Sequence, residues 1–343
     1  MRIGITFDLR DDYANKGYDE EQTAEFDSVE AILAIESALR SLGHSTDRIG
    51  HARALAGRLV QGDGWDLVFN IAEGMHGFGR QSLAPALLET YRIPYTFSDP
   101  LALAVTLHKA TAKRIVRDQG LRTPDFAVVE TPGDIDAIAL PFPLFIKPVA
   151  EGTSKGITPA SKVTNRAELR QGCEHLLARH HQPVLVEVFL SGREFTVGIV
   201  GTGPAARSLG AMELFIQTGA EPDIYSFENK KYSGERVNVS LATDPVGIAA
   251  TQLALDAWRY LGGRDAGRVD VRCDEDGNVH FLEANPLAGL HPVESDLPLV
   301  GRLAGMPYLV LIQEIVASAL ERVAAFPAGG AEQAPGLGEA SPC

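Results

Sequence analysis

Short apolar runs alternate with amphipathic stretches through the first hundred residues. Residues 3–7, Ile3-Gly4-Ile5-Thr6-Phe7, read as a buried strand, and Asp66-Leu67-Val68-Phe69-Asn70-Ile71 as a second. Between them, residues 10–25 are polar and predict a loop. Phe26, Val29, Ile32, Leu33, Leu39 and Leu42 then recur at helical spacing, and Gly43 can close that helix. Residues 82–91 suit a helix and Ile93-Pro94-Tyr95-Thr96 a short strand. Strands alternating with helices imply a parallel sheet covered on both faces.

The pattern changes near Pro100. One helix is predicted over residues 101–119, closed by Gly120 with Pro124 beyond. Strand-like segments follow at 126–129 and 143–149, then a helix around 166–179 and a strand at 183–189. Further on come strands at 194–200 and 207–214, a polar stretch at 217–236, a helix near 246–261, strands at 268–273 and 278–283, and an amphipathic helix at 308–325. The expected organisation is α/β with α+β lobes: residues 1–99 an N-terminal α/β domain, 100–190 a central lobe, 191–326 a C-terminal lobe, and 327–343 a Gly-, Ala- and Pro-rich tail without fixed structure.

Composition narrows the function classes. Of 343 residues, 45% are hydrophobic and 22% charged, ordinary for a soluble globular protein. The formal net charge of −14 repels a nucleic-acid backbone, so no nucleic-acid partner is expected. Cys173, Cys273 and Cys343 lack metal-ligand spacing and fit a reducing, cytoplasmic setting. The opening residues lack the apolar length of a signal peptide, and no run approaches the ~20 apolar residues of a membrane span.

Four constellations carry candidate chemistry. In Phe145-Ile146-Lys147-Pro148-Val149-Ala150-Glu151-Gly152-Thr153-Ser154-Lys155-Gly156 a lysine ends an apolar strand and a small-residue loop follows, a pattern suited to phosphate oxygens but also to an edge lysine and a plain turn. In Leu185-Val186-Glu187-Val188-Phe189-Leu190, followed by Gly192-Arg193-Glu194, extended backbone can meet a purine edge and a carboxylate the ribose; two strands with solvent-facing glutamates would read alike. The sharpest signal is Arg268-Val269-Asp270-Val271 with Phe281-Leu282-Glu283-Ala284-Asn285-Pro286. If the two strands pair around a turn at 274–278, Asp270, Glu283 and Asn285 converge beside Arg268, and oxygen-only ligands suit a hard ion such as Mg²⁺. Lys230 and Lys231 stand in a polar stretch that could close over phosphates or simply be solvated.

These motifs, in this order, resemble the ATP-grasp superfamily and, within it, the D-alanine–D-alanine ligase family. The resemblance runs from about residue 1 to 325 and is strongest from 93 to 290. It implies an ATP-grasp fold with ATP between the central and C-terminal lobes, and an enzyme that joins a carboxylate to an amine through an acyl phosphate. Lys109, Lys147 and Lys230 would contact the phosphates, Lys147 also lying near the adenine, with Thr153 and Ser154 covering them. Glu187 and the backbone through Val188, Phe189 and Leu190 would hold the adenine, and Glu194 the ribose. Asp270, Glu283 and Asn285 would hold two Mg²⁺ ions, and Arg268 with the Gly289 N–H would stabilise the oxyanion of acyl transfer. The resemblance further implies small amino-acid-like substrates and a homodimer.

Around the amino-acid substrates the chain departs from the family. The N-terminal glycine pair is replaced by Phe7-Asp8-Leu9-Arg10, and Asp27 stands near the position of the glutamate that binds the first substrate's ammonium. Met75-His76-Gly77 corresponds to a His-Gly segment, but Arg80-Gln81 replace the acidic pair that follows. Lys231 stands at the position of the substrate-loop tyrosine. Pro286-Leu287-Ala288-Gly289-Leu290-His291-Pro292, with Ser295 and Asp296 beyond, replaces a serine-proline-glycine-methionine pattern. The expected substrate residues are therefore Asp27, His76, Arg80, Lys231 and Ser295, with Arg80 and Lys231 able to bind an extra substrate carboxylate. His291 is expected to orient or deprotonate an amine, unless it merely orders its loop. The reading is an ATP-dependent ligase of amino acids. Its alternatives are a true D-alanine–D-alanine ligase, a cyclising ligase and a non-catalytic nucleotide-binding regulator.

Overall fold

The computed structural model of the chain describes residues 1–217, 228–229 and 236–325. Strands β1 (Arg2–Phe7), β2 (Ser45–Gly50) and β3 (Leu67–Ile71) form a parallel sheet in the order β2-β1-β3. Helices α1 (Arg10–Ala14), α2 (Val29–Ser41), α3 (Ala52–Val60) and α4 (Leu83–Thr90) accompany it. Ser28 caps α2 by accepting from the Ala31 N–H, and Ile32, Ile35 and Leu39 turn its apolar face to Ile3, Ile5 and Phe69. Val68 faces the other way, into a cluster with Leu55, Leu59 and Leu88 of α3 and α4. Both faces are covered, as strand–helix alternation implied.

Two local expectations are corrected, and one strand was not foreseen. Residues 10–25 are not all loop, since they contain α1. Residues 93–96 meet the sheet only through an isolated parallel bridge between Tyr95 and Val68. Edge strand β2, Ser-Thr-Asp-Arg-Ile-Gly, has no apolar alternation to announce it. Side-chain bonds hold it instead: Asp47 accepts from Arg2 at 2.7 Å, Arg58 at 2.8 Å and the Trp65 indole at 2.9 Å.

The helix expected over 101–119 is two helices, α5 (Pro100–Leu107) and α6 (Lys109–Asp118). The break falls at His108, whose ψ of 88° leaves the helical region and whose ring caps α6 by accepting from the Thr111 N–H. The Lys109 N–H is then free to bond the Val149 carbonyl at 3.0 Å, which ties the start of α6 to the next sheet. That sheet, β4 (Phe126–Val129), β5 (Leu144–Pro148), β6 (Lys162–Val163) and β7 (Val184–Val188), is antiparallel in the order β4-β7-β5-β6. Helix α7 (Arg166–His180) packs Leu169, Cys173 and Leu176 against it.

The third sheet comprises β8 (Glu194–Val200), β9 (Arg207–Ile216), β10 (Val237–Leu241), β11 (Ala266–Cys273) and β12 (Val279–Asn285). It is antiparallel, in the order β10-β9-β8-β11-β12. Helix α8 (Pro245–Tyr260) covers one face with Ala250, Ala254, Ala257 and Trp258. Helix α9 (Asp296–Leu303) covers the other, where Val300 fills the space a side chain at Gly198 would need. Helix α10 (Tyr308–Ala325) returns to the first sheet, so Leu311, Ile312 and Ile315 share one core with Ile3, Ile5 and Leu297. Among the described residues no single helix is long and apolar enough to cross a membrane.

Asp265, fully buried just before β11, fastens these parts together. Its carboxylate accepts from the Phe97 N–H and from Arg322 of α10, both at 2.7 Å, and from Ser318 at 2.9 Å. Asp265→Ala leaves the Arg322 charge and the Phe97 N–H without their acceptor. We expect a loss of about 3–5 kcal/mol in unfolding free energy, read from urea denaturation.

Candidate functional site

Strands β11 and β12 pair in the register the motifs required. Arg268 lies opposite Asn285 and Asp270 opposite Glu283, with a ladder irregularity just after Asp270. The turn is closed by Asp274, whose N–H bonds the Asn278 carbonyl at 3.0 Å. Alternation puts the four side chains on one face. Arg268 forms an ion pair with Asp270 and lies 3.7 Å from Asp296. The Asn285 amide donates to Asp270 at 3.3 Å, and the Thr196 hydroxyl does so at 2.9 Å. Burial pushes the Asp270 carboxyl up to about 6, against the pull of Arg268 and with Glu283 and Asp296 adding to the push.

Lysines of α6 and β5 meet this face. The kink at His108 aims Lys109 at Glu283, 3.1 Å away, and its ammonium also donates to the Glu151 carbonyl. Burial opposes ionisation of Glu283, but Lys109, Lys147 and Arg268 outweigh it and hold the carboxyl well below its usual range. Lys147, at the end of β5, pairs with Glu187 of β7 at 2.8 Å. Lys113, one turn along α6 from Lys109, pairs with the same glutamate at 2.8 Å and is fully buried. Burial lowers the Lys113 ammonium to about 8 despite Glu187, whereas at Lys147 the nearby Glu187 and Glu283 outweigh burial and raise it.

Lys147, Glu187 and Glu283 line a cleft together with Thr153, Ser154, Val188, Phe189, Leu190, Glu194, Arg268 and Asp270. Two expectations shift here. The Glu187 carboxylate is held between two lysines, so it orients Lys147 and is not offered to a base. The N–H groups of Val188 and Phe189 already donate to Asp125 and Pro143, at 2.9 and 3.1 Å, so they cannot also serve a purine edge. Glu194 lines the cleft and is paired with Arg272 at 3.1 Å.

A second cavity, of about 810 Å³, opens beyond Arg268. Asp27, Glu73, Gly289, His291, Ser295 and Asp296 line it, and Arg268 and Thr153 line both spaces. At Gly289 an added Cβ would stand 2.8 Å from the Ser295 hydroxyl, which in turn accepts from the His291 N–H at 3.0 Å. The His291 ring accepts through Nδ1 from the N–H groups of Val293 and Glu294. A neutral imidazole used this way carries its proton on Nε2, so it can donate to a ligand but cannot take a proton from an amine. Burial and the nearby Asp8 carboxylate push Asp27 up to about 7, with Arg10 opposing. Burial and Glu25 push Glu73 well above the usual range although Gln81 donates to it at 2.6 Å.

Other substrate expectations fare differently. His76 is exposed beside Tyr18 and lines neither space. Arg80 does not await a substrate carboxylate. It is buried, donates to both carboxylate oxygens of Glu25 at 2.8 and 3.0 Å, and bonds the Ala150 carbonyl at 2.8 Å. Lys230 and Lys231 lie outside the described residues. Sequence reasoning passed over Glu25, Glu73, Lys113 and Lys155. Lys155 stood inside a quoted motif, yet only its long-range partner, Glu25, reveals a role. Lys113, at helical spacing from Lys109, carried no signal beyond its charge.

The chain is similar to known proteins over most of its length. The family model described as the D-ala D-ala ligase C-terminus matches residues 115–317. A D-alanine–D-alanine ligase of Bordetella petrii is 34% identical over 264 residues, 76% of this chain and 78% of that one. The Aquifex aeolicus D-alanine–D-alanine ligase is 31% identical over 290 residues, 84% and 94% of the two chains. The solved D-alanine–D-alanine ligase of Bacillus anthracis complexed with ATP superposes with a TM-score of 0.71 at 20% identity, covering 95% of this chain and 99% of that one. The VanG D-Ala:D-Ser ligase of Enterococcus faecalis gives 0.70 at 20%, covering 93% and 99%.

Asp27 supplies a prediction with a defined sign. Its native carboxyl holds a proton up to about pH 7, while an unfolded aspartate loses it near 4, so this group lowers stability as pH rises between those values. Asp27→Asn removes that loss. The variant's unfolding free energy should gain on the wild type by up to about 1.4 kcal/mol per pH unit from pH 4 to 7 and level off above. Urea titrations at pH 5 and 7.5 measure it.

Proposed function

The chain belongs to the D-alanine–D-alanine ligase family of ATP-grasp enzymes, which form a C–N bond at the expense of ATP, and on that premise we propose how its residues divide the reaction. The observation that carries the proposal is that Arg268 and Thr153 line both the narrow cleft and the larger cavity. A nucleotide in the cleft and an amino acid in the cavity meet there.

ATP lies with its purine edge on the Leu190 backbone, its ribose near Glu194, and its phosphates against Lys109 and Lys147. Glu187 fixes Lys147 from behind. Thr153 and Ser154 cover the phosphates. Asp270, Glu283 and Asn285 fit a hard cation, since their donors are all oxygen. Among the described residues no three carboxylate, imidazole or thiolate side chains cluster as a closed metal cage, so an ion here would complete its shell from phosphate oxygens and water. Bound Mg²⁺, two ions by family resemblance, would supply charge neutralisation for phosphoryl transfer.

The first amino acid lies in the cavity with its carboxylate toward Arg268. A carboxylate oxygen attacks the γ-phosphorus and ADP leaves, giving an acyl phosphate. The second amino acid's amine attacks the acyl carbon, and phosphate departs with one former carboxylate oxygen and takes up the proton that the amine nitrogen gives up. The Arg268 guanidinium and the Gly289 N–H face the oxyanion between these events. His291 donates through Nε2 and orients the acceptor; it does not serve as the base. The substrates are amino acids. A second reading, ligation of two D-alanines, is favoured by the named relatives.

The test measures ADP release with ATP and Mg²⁺ against D- and L-amino acids, singly and in pairs, with products identified by mass spectrometry. A pair giving stoichiometric amide supports the proposal, and D-alanine alone giving D-alanyl-D-alanine selects the second reading. Silence toward every pair contradicts both. With the active pair, Arg268→Ala should lower kcat by about 10²–10³-fold.

A further inference from the structure

One part of the wall between cleft and cavity is the loop of residues 151–156. Gly152 and Thr153 face the cavity, and Thr153 and Ser154 face the cleft. Its shape is not one that the local sequence favours. Thr153 and Ser154 are consecutive non-glycine residues with φ of 50° and 56°, in the left-handed region that costs ~1–2 kcal/mol per residue. Such a conformation persists only where its surroundings impose it.

The surroundings come largely from the N-terminal domain. Glu25 accepts from the Gly152 N–H at 2.5 Å, and Glu21 accepts from the Gly156 N–H at 3.0 Å. Lys155 pairs with Glu151 at 2.5 Å and lies 3.4 Å from Glu25. Arg80 stands behind this set. It grips both Glu25 oxygens, bonds the Ala150 carbonyl just ahead of the loop, and lies 3.8 Å from Glu151. Only 5% of its side chain is exposed and it lines neither space, so no substrate reaches it. Burial would push the Glu25 carboxyl up, but Arg80 and Lys155 hold it at about 2, ready to accept from Gly152. The fit is close: a Cβ on Gly152 would stand 2.6 Å from the Glu25 carboxylate.

We infer that Arg80 is a positioning residue for the phosphoryl transfer, fixing the 151–156 loop through Glu25 and the Ala150 carbonyl so that it separates and covers the nucleotide. Arginine suits the task because its planar fork reaches a carboxylate and a carbonyl at once, which an ammonium cannot do with the same geometry. The inference rests on the cleft being the ATP site. A loop that is displaced admits water to the acyl phosphate, so the mark of a lost Arg80 is ADP released without amide formed.

The experiment compares wild type, Arg80→Gln, Arg80→Lys and Gly152→Ala, with the amino-acid pair that turns over. Thermal unfolding, kcat, KM for ATP and the ratio of ADP to amide are read for each. Wild type should give a ratio near one. Arg80→Gln and Gly152→Ala should raise it several-fold and lower kcat at saturating ATP by about 10–100-fold, with Arg80→Lys recovering part of the loss. Gly152→Ala removes no charged group, so it reports on the loop even if Arg80→Gln does not fold. An active wild type whose folded variants keep its ratio and kcat overturns this inference alone. A wild type silent toward ATP with every pair overturns the nucleotide reading and this inference with it.

Discussion

Lys109 of α6 meets Glu283 of β12 at 3.1 Å, and the candidate site is organised around that pair. Around it Lys113, Lys147, Arg268, Glu187 and Asp270 are withdrawn from water, where an unpaired charge costs several kcal/mol. Each is therefore paired: Lys113 and Lys147 with Glu187, Arg268 with Asp270. On the proposed reading these cations receive phosphate charge, and as donors already oriented they leave little reorganisation to the reaction.

Backbone features serve this charge arrangement. The break at His108 turns Lys109 toward Glu283 and frees its N–H to tie α6 to Val149. The β11–β12 hairpin sets Arg268, Asp270, Glu283 and Asn285 on one face. The left-handed pair Thr153 and Ser154 is held by carboxylates from the N-terminal domain, which contributes to a site otherwise built by the other two lobes. With Glu25 engaged by Arg80 and Gly152, the other acidic side chains lining the larger cavity are Glu20, Asp27, Glu73, Glu294 and Asp296.

The sequence made some of this legible. Period-two alternation in residues 268–271 and 281–285 fixed which side chains share a face, and the paired strands keep that register. Apolar periodicity located α2, α7, α8 and α10. Strand β2 was invisible because its stability comes from Arg2, Arg58 and Trp65 gripping Asp47, contacts of long sequence range. The His108 break was hidden because residues on both sides have ordinary helix preference. Arg80 was expected to be a substrate anchor, but it is buried against Glu25. Charge and position alone could not tell a guanidinium facing a cavity from one buried against Glu25. Lys113 and Glu187 belong to the same class, since a buried ion pair declares itself only once both partners are located.

The central claim is that a carboxylate in the larger cavity receives the γ-phosphoryl group of ATP held in the cleft. The direct measurement is the fate of ¹⁸O carried in the carboxylate of the first amino acid, tested on D-alanine and on any other amino acid that elicits ADP release. Transfer of one labelled oxygen into inorganic phosphate for each amide formed is the predicted result. Label appearing in AMP, or amide formed with unlabelled phosphate, would contradict it.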